Sequence, residues 1–263
     1  MKLKVAGTEL ACDVTGAGPA LLLLHAFPLG LATWDEQVRA LAEGHQVVRF
    51  DARGFGGSPP GDGLLTMERI ADDAVGVLDR LGVPSAVVGG LSMGGYAALA
   101  LARRHPDRIR ALVLADTRAG ADSPEAKAAR AAQAERVRRE GARAMAEAVL
   151  PKLLGATSHQ ERPDLVARVR SLIEANPPRG IADALAGLAA RADSTPTLRE
   201  IRVPTLVVVG DEDAITPLAE AEALQRGIQG SRLAVVPRAG HLSNMENAAE
   251  FNRHVRSFLE AHR

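Results

Sequence analysis

Gly90-Leu91-Ser92-Met93-Gly94 has the pattern G-x-S-x-G. An apolar run at 86–89 precedes it and a helix-forming stretch, Gly95-Tyr96-Ala97-Ala98-Leu99-Ala100, follows it. That is the context of a nucleophile elbow, in which a sharp strand-to-helix turn strains the serine backbone and lifts its hydroxyl clear of a sheet. Glycines two residues to either side are expected because a side chain there would collide across the turn. A serine hydroxyl is a weak nucleophile unless a base removes its proton, and the base needs an acid to orient it. With such an elbow the order along the chain is serine, acid, histidine.

Seven histidines are available: His25, His45, His105, His159, His241, His254 and His262. His241 follows a late apolar run (233–236) through the small turn Ala239-Gly240, as a loop base should. His105 sits at a helix end before Pro106, His159 in a helical stretch, and His254 and His262 in the last helix; these are expected at the surface. The acid must come from Gly210-Asp211-Glu212-Asp213, where three carboxylates crowd the loop after the run 206–209. Composition does not choose among them, and at least two must be structural or exposed.

The elements that would position these groups are short. Apolar runs of four or five residues recur at 21–24, 47–50, 86–89, 112–115, 206–209 and 233–236. They are too short for helices and too continuous for half-exposed strands, so they read as parallel strands covered on both faces. Between them, stretches such as 66–81, apolar at Met67, Ile70, Ala74, Val77, Leu78 and Leu81, fit amphipathic helices. The alternation implies an α/β fold with a doubly wound, mostly parallel sheet. Residues 3–5 and 10–14 are expected to add an antiparallel hairpin. From about 118 to 196 no strand run appears; Ser123-Pro124 starts a helix there, and Gly141, Pro151 and Pro177-Pro178 divide the segment. An insertion at this point would sit over the carboxyl edge of the sheet, where ligands bind. Residues 1–117 and 197–263 are therefore expected to form the core, and 118–196 a helical cap.

The composition narrows the classes of function. In 263 residues, 32 Lys and Arg balance 32 Asp and Glu, and aromatics make up 3%. A nucleic-acid or anionic-membrane partner would call for a basic excess, and base stacking for aromatic side chains. The one cysteine, Cys12, forms no internal disulfide. No run approaches the ~20 apolar residues of a membrane helix, and the first residues lack a secretion signal, so a cytoplasmic protein is expected. No metal-ligand spacing and no phosphate-cradling motif is visible, and no cofactor is expected.

Four motifs in order resemble the α/β-hydrolase family over nearly the whole chain. They are His25-Ala26-Phe27-Pro28 after the third strand, Asp51-Ala52-Arg53-Gly54-Phe55-Gly56-Gly57-Ser58 after the fourth, the elbow at Ser92, and the Gly-x-x-Asp and Gly-His loops near the end. The resemblance implies an eight-stranded sheet with the cap after the sixth strand. It places the acid at Asp213, with Asp211 as runner-up. It implies an oxyanion hole made by the backbone N–H groups of Met93 and Phe27, where losing one donor typically costs ~3 kcal/mol. The pair His25-Ala26 departs from the commoner His-Gly, a change that strains the chain only where that position has a positive φ. His25, Asp51 and Arg53 are expected to fix loops and Trp34 to pack against a helix. A serine at the elbow separates the chain from relatives that use a carboxylate nucleophile there.

Within the family the chain is most similar to the group of 3-oxoadipate enol-lactonases, carboxylesterases and cofactor-free haloperoxidases (perhydrolases), through His25-Ala26-Phe27-Pro28-Leu29 and Ala115-Asp116-Thr117-Arg118-Ala119. The expected function is hydrolysis of small or aliphatic carboxylic esters through an acyl-enzyme on Ser92, with Asp213 and His241 completing the triad. Enol-lactone hydrolysis or perhydrolysis is the alternative, and a non-catalytic binding protein on the same fold the remoter one. The cap's apolar residues (Met145, Val149, Leu150, Leu153, Leu154, Val166, Val169, Leu172, Ile173, Leu185 and Leu188) are all aliphatic or Met, and most of them are expected to form the cap's own core. Its arginines leave a carboxylate-bearing lactone open. Substrate-binding residues and oligomeric state are not assigned by the sequence.

Overall fold

The computed structural model describes residues 1–262. The strands are β1 (Lys2–Val5), β2 (Thr8–Thr15), β3 (Ala20–Leu24), β4 (Gln46–Phe50), β5 (Ala86–Leu91), β6 (Ile109–Ala115), β7 (Thr205–Gly210) and β8 (Arg232–Val236). They form one eight-stranded sheet in the order β1-β2-β4-β3-β5-β6-β7-β8. β1 pairs antiparallel with β2 and β2 antiparallel with β4; every other pairing is parallel. β3, β5 and β7 are buried along their whole length, as expected of strands covered on both faces. At the edge, β8 alternates between exposed and buried positions.

The helices are α1 (Asp35–Leu41), α2 (Met67–Arg80), α3 (Met93–Arg104), α4 (Pro124–Glu140), α5 (Ala142–Leu153), α6 (Ala156–Glu161), α7 (Pro163–Glu174), α8 (Pro178–Ala189), α9 (Leu218–Gly227), α10 (Ser243–Glu246) and α11 (Ala248–Ala261). α2 buries the predicted stripe from Met67 to Leu78, and the Thr66 hydroxyl caps it by accepting from the Arg69 amide. α4 starts at the predicted Ser123-Pro124 and stops at Gly141, whose φ of 84° ends the helix. Among the described residues no helix is long and apolar enough to cross a membrane.

The five helices α4–α8 lie between β6 and β7, but they are not divided where Pro151 suggested. Pro151 lies inside α5, two residues before its end. In a last turn proline forfeits one amide bond and hastens a stop already due. The breaks fall instead at Gly155 and Pro163, each beginning a new helix. His262 is the residue that caps α11 rather than part of it.

The sheet order creates a switch point. From β3 the chain runs to β4 on one side, then returns to β5 on the other. The loops leaving β3 and β5 therefore diverge and leave a crevice at the carboxyl edge, the usual ligand position in open α/β sheets.

Two polar groups hold the β4 side of this edge. Asp51 accepts from the amides of Leu31 and Gly57, and its carbonyl accepts from the Ser58 hydroxyl, stitching the Gly-rich turn as expected. Arg53 serves a different contact from the one predicted. Its guanidinium forms a two-pronged pair with Asp73 on α2, both contacts at 2.7 Å. The Asp73 side chain is almost fully buried. Removing one partner of such a pair strands a charge in low dielectric. We expect Asp73→Ala to lower unfolding free energy by about 3 kcal/mol or more, read from chemical denaturation.

Candidate active site

The elbow is strained as its sequence implied. Ser92 sits at φ 53° and ψ −109°, between β5 and the first residue of α3. A side chain on Gly90 would stand 2.2 Å from the carbonyl oxygen of Gly94, a collision across the turn. Gly94 is needed for another reason: a side chain there would meet the Leu24 carbonyl of β3 at 2.0 Å. The turn is pinned by the Ser92 amide donating to Ala115 and by the Thr117 hydroxyl donating to the Ser92 carbonyl.

Loops after β7 and β8 bring the other two groups to this hydroxyl. The Ser92 Oγ lies 2.8 Å from His241 Nε2, and His241 Nδ1 lies 2.8 Å from Asp213 Oδ2. Hydrogen bonding to a carboxylate assigns the proton to Nδ1 and leaves Nε2 free to accept from the serine. Asp213 is further fixed by the amides of Ile215 and Thr216 on Oδ1 and by the Thr216 hydroxyl on Oδ2. Burial alone would raise its pKa, but His241 and these donors outweigh it and hold the carboxyl below its ordinary value. The other two carboxylates of the loop have different partners. Asp211 is exposed and faces the Ala239 amide, and Glu212 accepts from the amide and hydroxyl of Thr157 in α6.

Of the remaining histidines, His25 is buried and neutral in its surroundings. Its Nε2 accepts from the Ala52 amide and its Nδ1 donates to the Ala26 carbonyl, tying the loops after β3 and β4 together. Burial drives its pKa down, against the pull of Asp51. Ala26 is not among the residues of positive φ, so replacing the usual glycine carries no backbone strain. His105 binds Asp72 at the end of α3, and His159 is exposed. Trp34 is buried with its ring 6.1 Å from Phe251 of α11.

Ser92, His241, Phe27 and Met93 line one cavity of about 110 Å³. Met93 is the first residue of α3, where an amide has no acceptor within the helix. Met145, Val149 and Leu153 of α5 and Leu188 of α8 form apolar walls; Tyr96, Arg130 and Gln133 add polar groups that sequence reasoning did not single out. A second hollow of about 130 Å³, beside Arg53 and Arg69, contains none of the elbow, acid or histidine residues.

Two buried carboxylates were also not anticipated. Glu246 Oε1 accepts from the amides of Gly240 and Leu242, the residues flanking His241. Its Oε2 accepts from the Gly155 amide and the Ser158 hydroxyl at the start of α6. One carboxylate thus holds both the histidine loop and the helices above it. The available signal was an acid five residues beyond His241 in a stretch without helical periodicity, which is weak. Asp116, at the end of β6, is completely buried and accepts from the Gly210 amide, while the Ser243 hydroxyl donates to it. Burial, with the nearby charge of Asp213, pushes its pKa well up.

Comparison with known proteins identifies the family of the fold. The model for the alpha/beta hydrolase fold matches residues 19–248. The chain belongs to the α/β-hydrolase family. It is similar to a thermophilic esterase from Thermogutta terrifontis, solved with malate bound, at 43% identity and a TM-score of 0.97 over 100% of both chains. It is also similar to an enol-lactonase from Burkholderia xenovorans, at 35% identity and a TM-score of 0.93 over 99% of this chain and 100% of that one. A further relative, 3-oxoadipate enol-lactonase 2 of Acinetobacter baylyi, is 29% identical over 92% of this chain and 89% of its own.

Two measurements check the buried carboxylates. Glu246→Ala leaves three amides and a hydroxyl without acceptors, and we expect a loss of roughly 3 kcal/mol in denaturant unfolding, with Glu246→Gln losing less. For Asp116 the native pKa is raised, so the native state binds the proton more tightly than the unfolded chain. Stability from this group is present below its unfolded pKa and is lost as pH rises through the folded one. Asp116→Asn should therefore gain Tm relative to the parent on going from pH 5 to pH 8; a difference that shrinks over that range contradicts the assignment.

Proposed function

We propose that this protein hydrolyses small or aliphatic carboxylic esters through an acyl-enzyme on Ser92. The observation that carries the reading is the unbroken hydrogen-bonded line from Ser92 through His241 to Asp213, opening on a mostly apolar cavity. Nε2 of His241 takes the Ser92 proton as Oγ adds to the ester carbonyl, and Asp213 stabilises the imidazolium. The oxyanion is received in this reading by the N–H groups of Phe27 and Met93, two residues that line the same cavity. The imidazolium then protonates the leaving alkoxide, and the acyl group stays on Ser92. A water molecule, giving its proton to Nε2, attacks the acyl carbonyl; that proton returns to Oγ as the acid leaves. Residues 118–196 act in this reading as the cap that decides the substrate.

The aliphatic walls favour a flexible acyl chain over an aromatic one. A second reading, enol-lactone hydrolysis by the same three groups, draws on the Burkholderia xenovorans and Acinetobacter baylyi relatives. In an enol-lactone the leaving oxygen is that of an enol and remains tethered to the acyl group; the imidazolium protonates it as before, and the freed enol tautomerises to the ketone.

Purified protein should turn over short-chain p-nitrophenyl esters. Ser92→Ala should lose on the order of 10⁴–10⁶ in kcat, and Asp213→Asn about 10⁴, both in folded protein. Turnover that survives in Ser92→Ala would move the chemistry elsewhere.

A further inference from the structure

The acid and the base of the triad sit on two loops, and a third segment touches both. The residue before Asp213 is the corner where they meet. The Glu212 amide donates to the Ala239 carbonyl of the histidine loop at 2.8 Å. Its side chain turns the other way: Oε2 accepts from the Thr157 amide at 2.9 Å and Oε1 from the Thr157 hydroxyl. Glu212 thus ties the acid loop to the histidine loop through its backbone and to α6 through its carboxylate.

The histidine loop reaches the same turn of α6. The Gly155 amide and the Ser158 hydroxyl both donate to Glu246 Oε2 at 2.7 Å, while Oε1 holds the amides on either side of His241. The backbones are in contact as well. A side chain on Gly155 would stand 2.3 Å from Glu212 Oε2 and 2.9 Å from the Gly240 nitrogen, and one on Gly240 would stand 2.3 Å from the Gly155 nitrogen. Gly155 has φ −67° and ψ 161°, a conformation open to other residues, so the glycine serves close approach and not a turn. At its other end α6 keeps to the same loop: the Arg162 guanidinium donates to the Glu246 carbonyl, and Glu161 pairs with Arg238.

Glu212, Glu246 and residues 155–158 all lie outside the cavity wall. Any effect they have on the reaction must pass through the two loops. The line from Ser92 to Asp213 leaves little room for error, since a misplacement of about 1 Å caused far from the chemistry can cost on the order of 10²-fold in rate.

We propose that the turn 155–158, through Glu212 and Glu246, is a positioning element of the reaction, setting how far the Asp213 loop stands from the His241 loop. The proposal rests on Ser92, His241 and Asp213 as the hydrolytic groups, and it adds the residues outside the cavity that align them.

A pair of variants on one link tests this. Thr157→Val keeps the shape of the side chain and takes the hydroxyl from Glu212; Glu212→Gln weakens the same link from the other side. With kcat and KM read separately on a p-nitrophenyl ester, each should lower kcat roughly three- to tenfold and leave KM within about twofold. The double variant should lose no more than Glu212→Gln alone, because both changes cut one link. Thr157→Ser should keep the parent kcat. Gly155→Ala adds no backbone strain, and by wedging the loops apart it should lower kcat about 100-fold. Unchanged kcat in Thr157→Val and Glu212→Gln, or losses that multiply in the double variant, overturns the proposal. A lowered unfolding midpoint with kcat kept shows a structural role only and overturns it as well. Should Glu212→Gln or Gly155→Ala fail to fold, kcat in Thr157→Val and Thr157→Ser decides. Should the parent hydrolyse no ester, the hydrolytic reading fails, and the alignment is read by NMR from the His241 Nδ1 proton. A resonance displaced in Thr157→Val and restored in Thr157→Ser then supports the proposal; one that is absent from the parent, or the same in parent and Thr157→Val, overturns it.

Discussion

The hydroxyl of Ser92 and the imidazole of His241 meet at 2.8 Å across 149 residues of sequence, and Asp213 completes the line from a third loop. No local rule can produce such a contact. It requires β5, β7 and β8 to end at the same edge of one sheet, and it requires the serine to leave its strand in a conformation that costs backbone energy. That cost is sustained because the strands below are buried on both faces and the glycines of the turn have neighbouring backbone packed against them. The position of the reactive hydroxyl is in this sense a property of the whole sheet.

Much of the scaffold was legible because parallel, doubly covered strands write themselves as continuous apolar runs. All six predicted runs are strands, and the hairpin at the start is present. Ser92 and His241 were identifiable from their elbow and loop contexts. Asp213 was not separable from Asp211 and Glu212 by composition, since all three are carboxylates on one loop; the family resemblance was needed. Their separation is tertiary: Glu212 is drawn to Thr157 in α6, a partner 55 residues earlier, and Asp211 turns outward.

Sequence reasoning fell short where a polar side chain has a distant partner. Arg53 was read as part of the turn it follows in sequence, yet its guanidinium pairs with Asp73 on α2. Asp116 was noticed only as part of a resembling stretch, and its burial between Gly210 and Ser243 depends on β6 and β7 being adjacent. Pro151 misled because a proline breaks a helix interior but is tolerated near an end already set by other residues. Arg130 was lost among many arginines, several of which pair with neighbours one turn away on exposed helix faces.

The carboxylate of Glu246 joins segments that a domain diagram would draw apart. The amides on either side of His241 and the start of α6 share its two oxygens. The helices between β6 and β7 are consequently no interchangeable cassette. A chimera that grafts another insertion onto this sheet must bring its own groups to replace the Gly155 amide and the Ser158 hydroxyl. Without them the loop bearing the histidine inherits a half-satisfied anion, and drift in the transplanted part is felt at the reacting atoms.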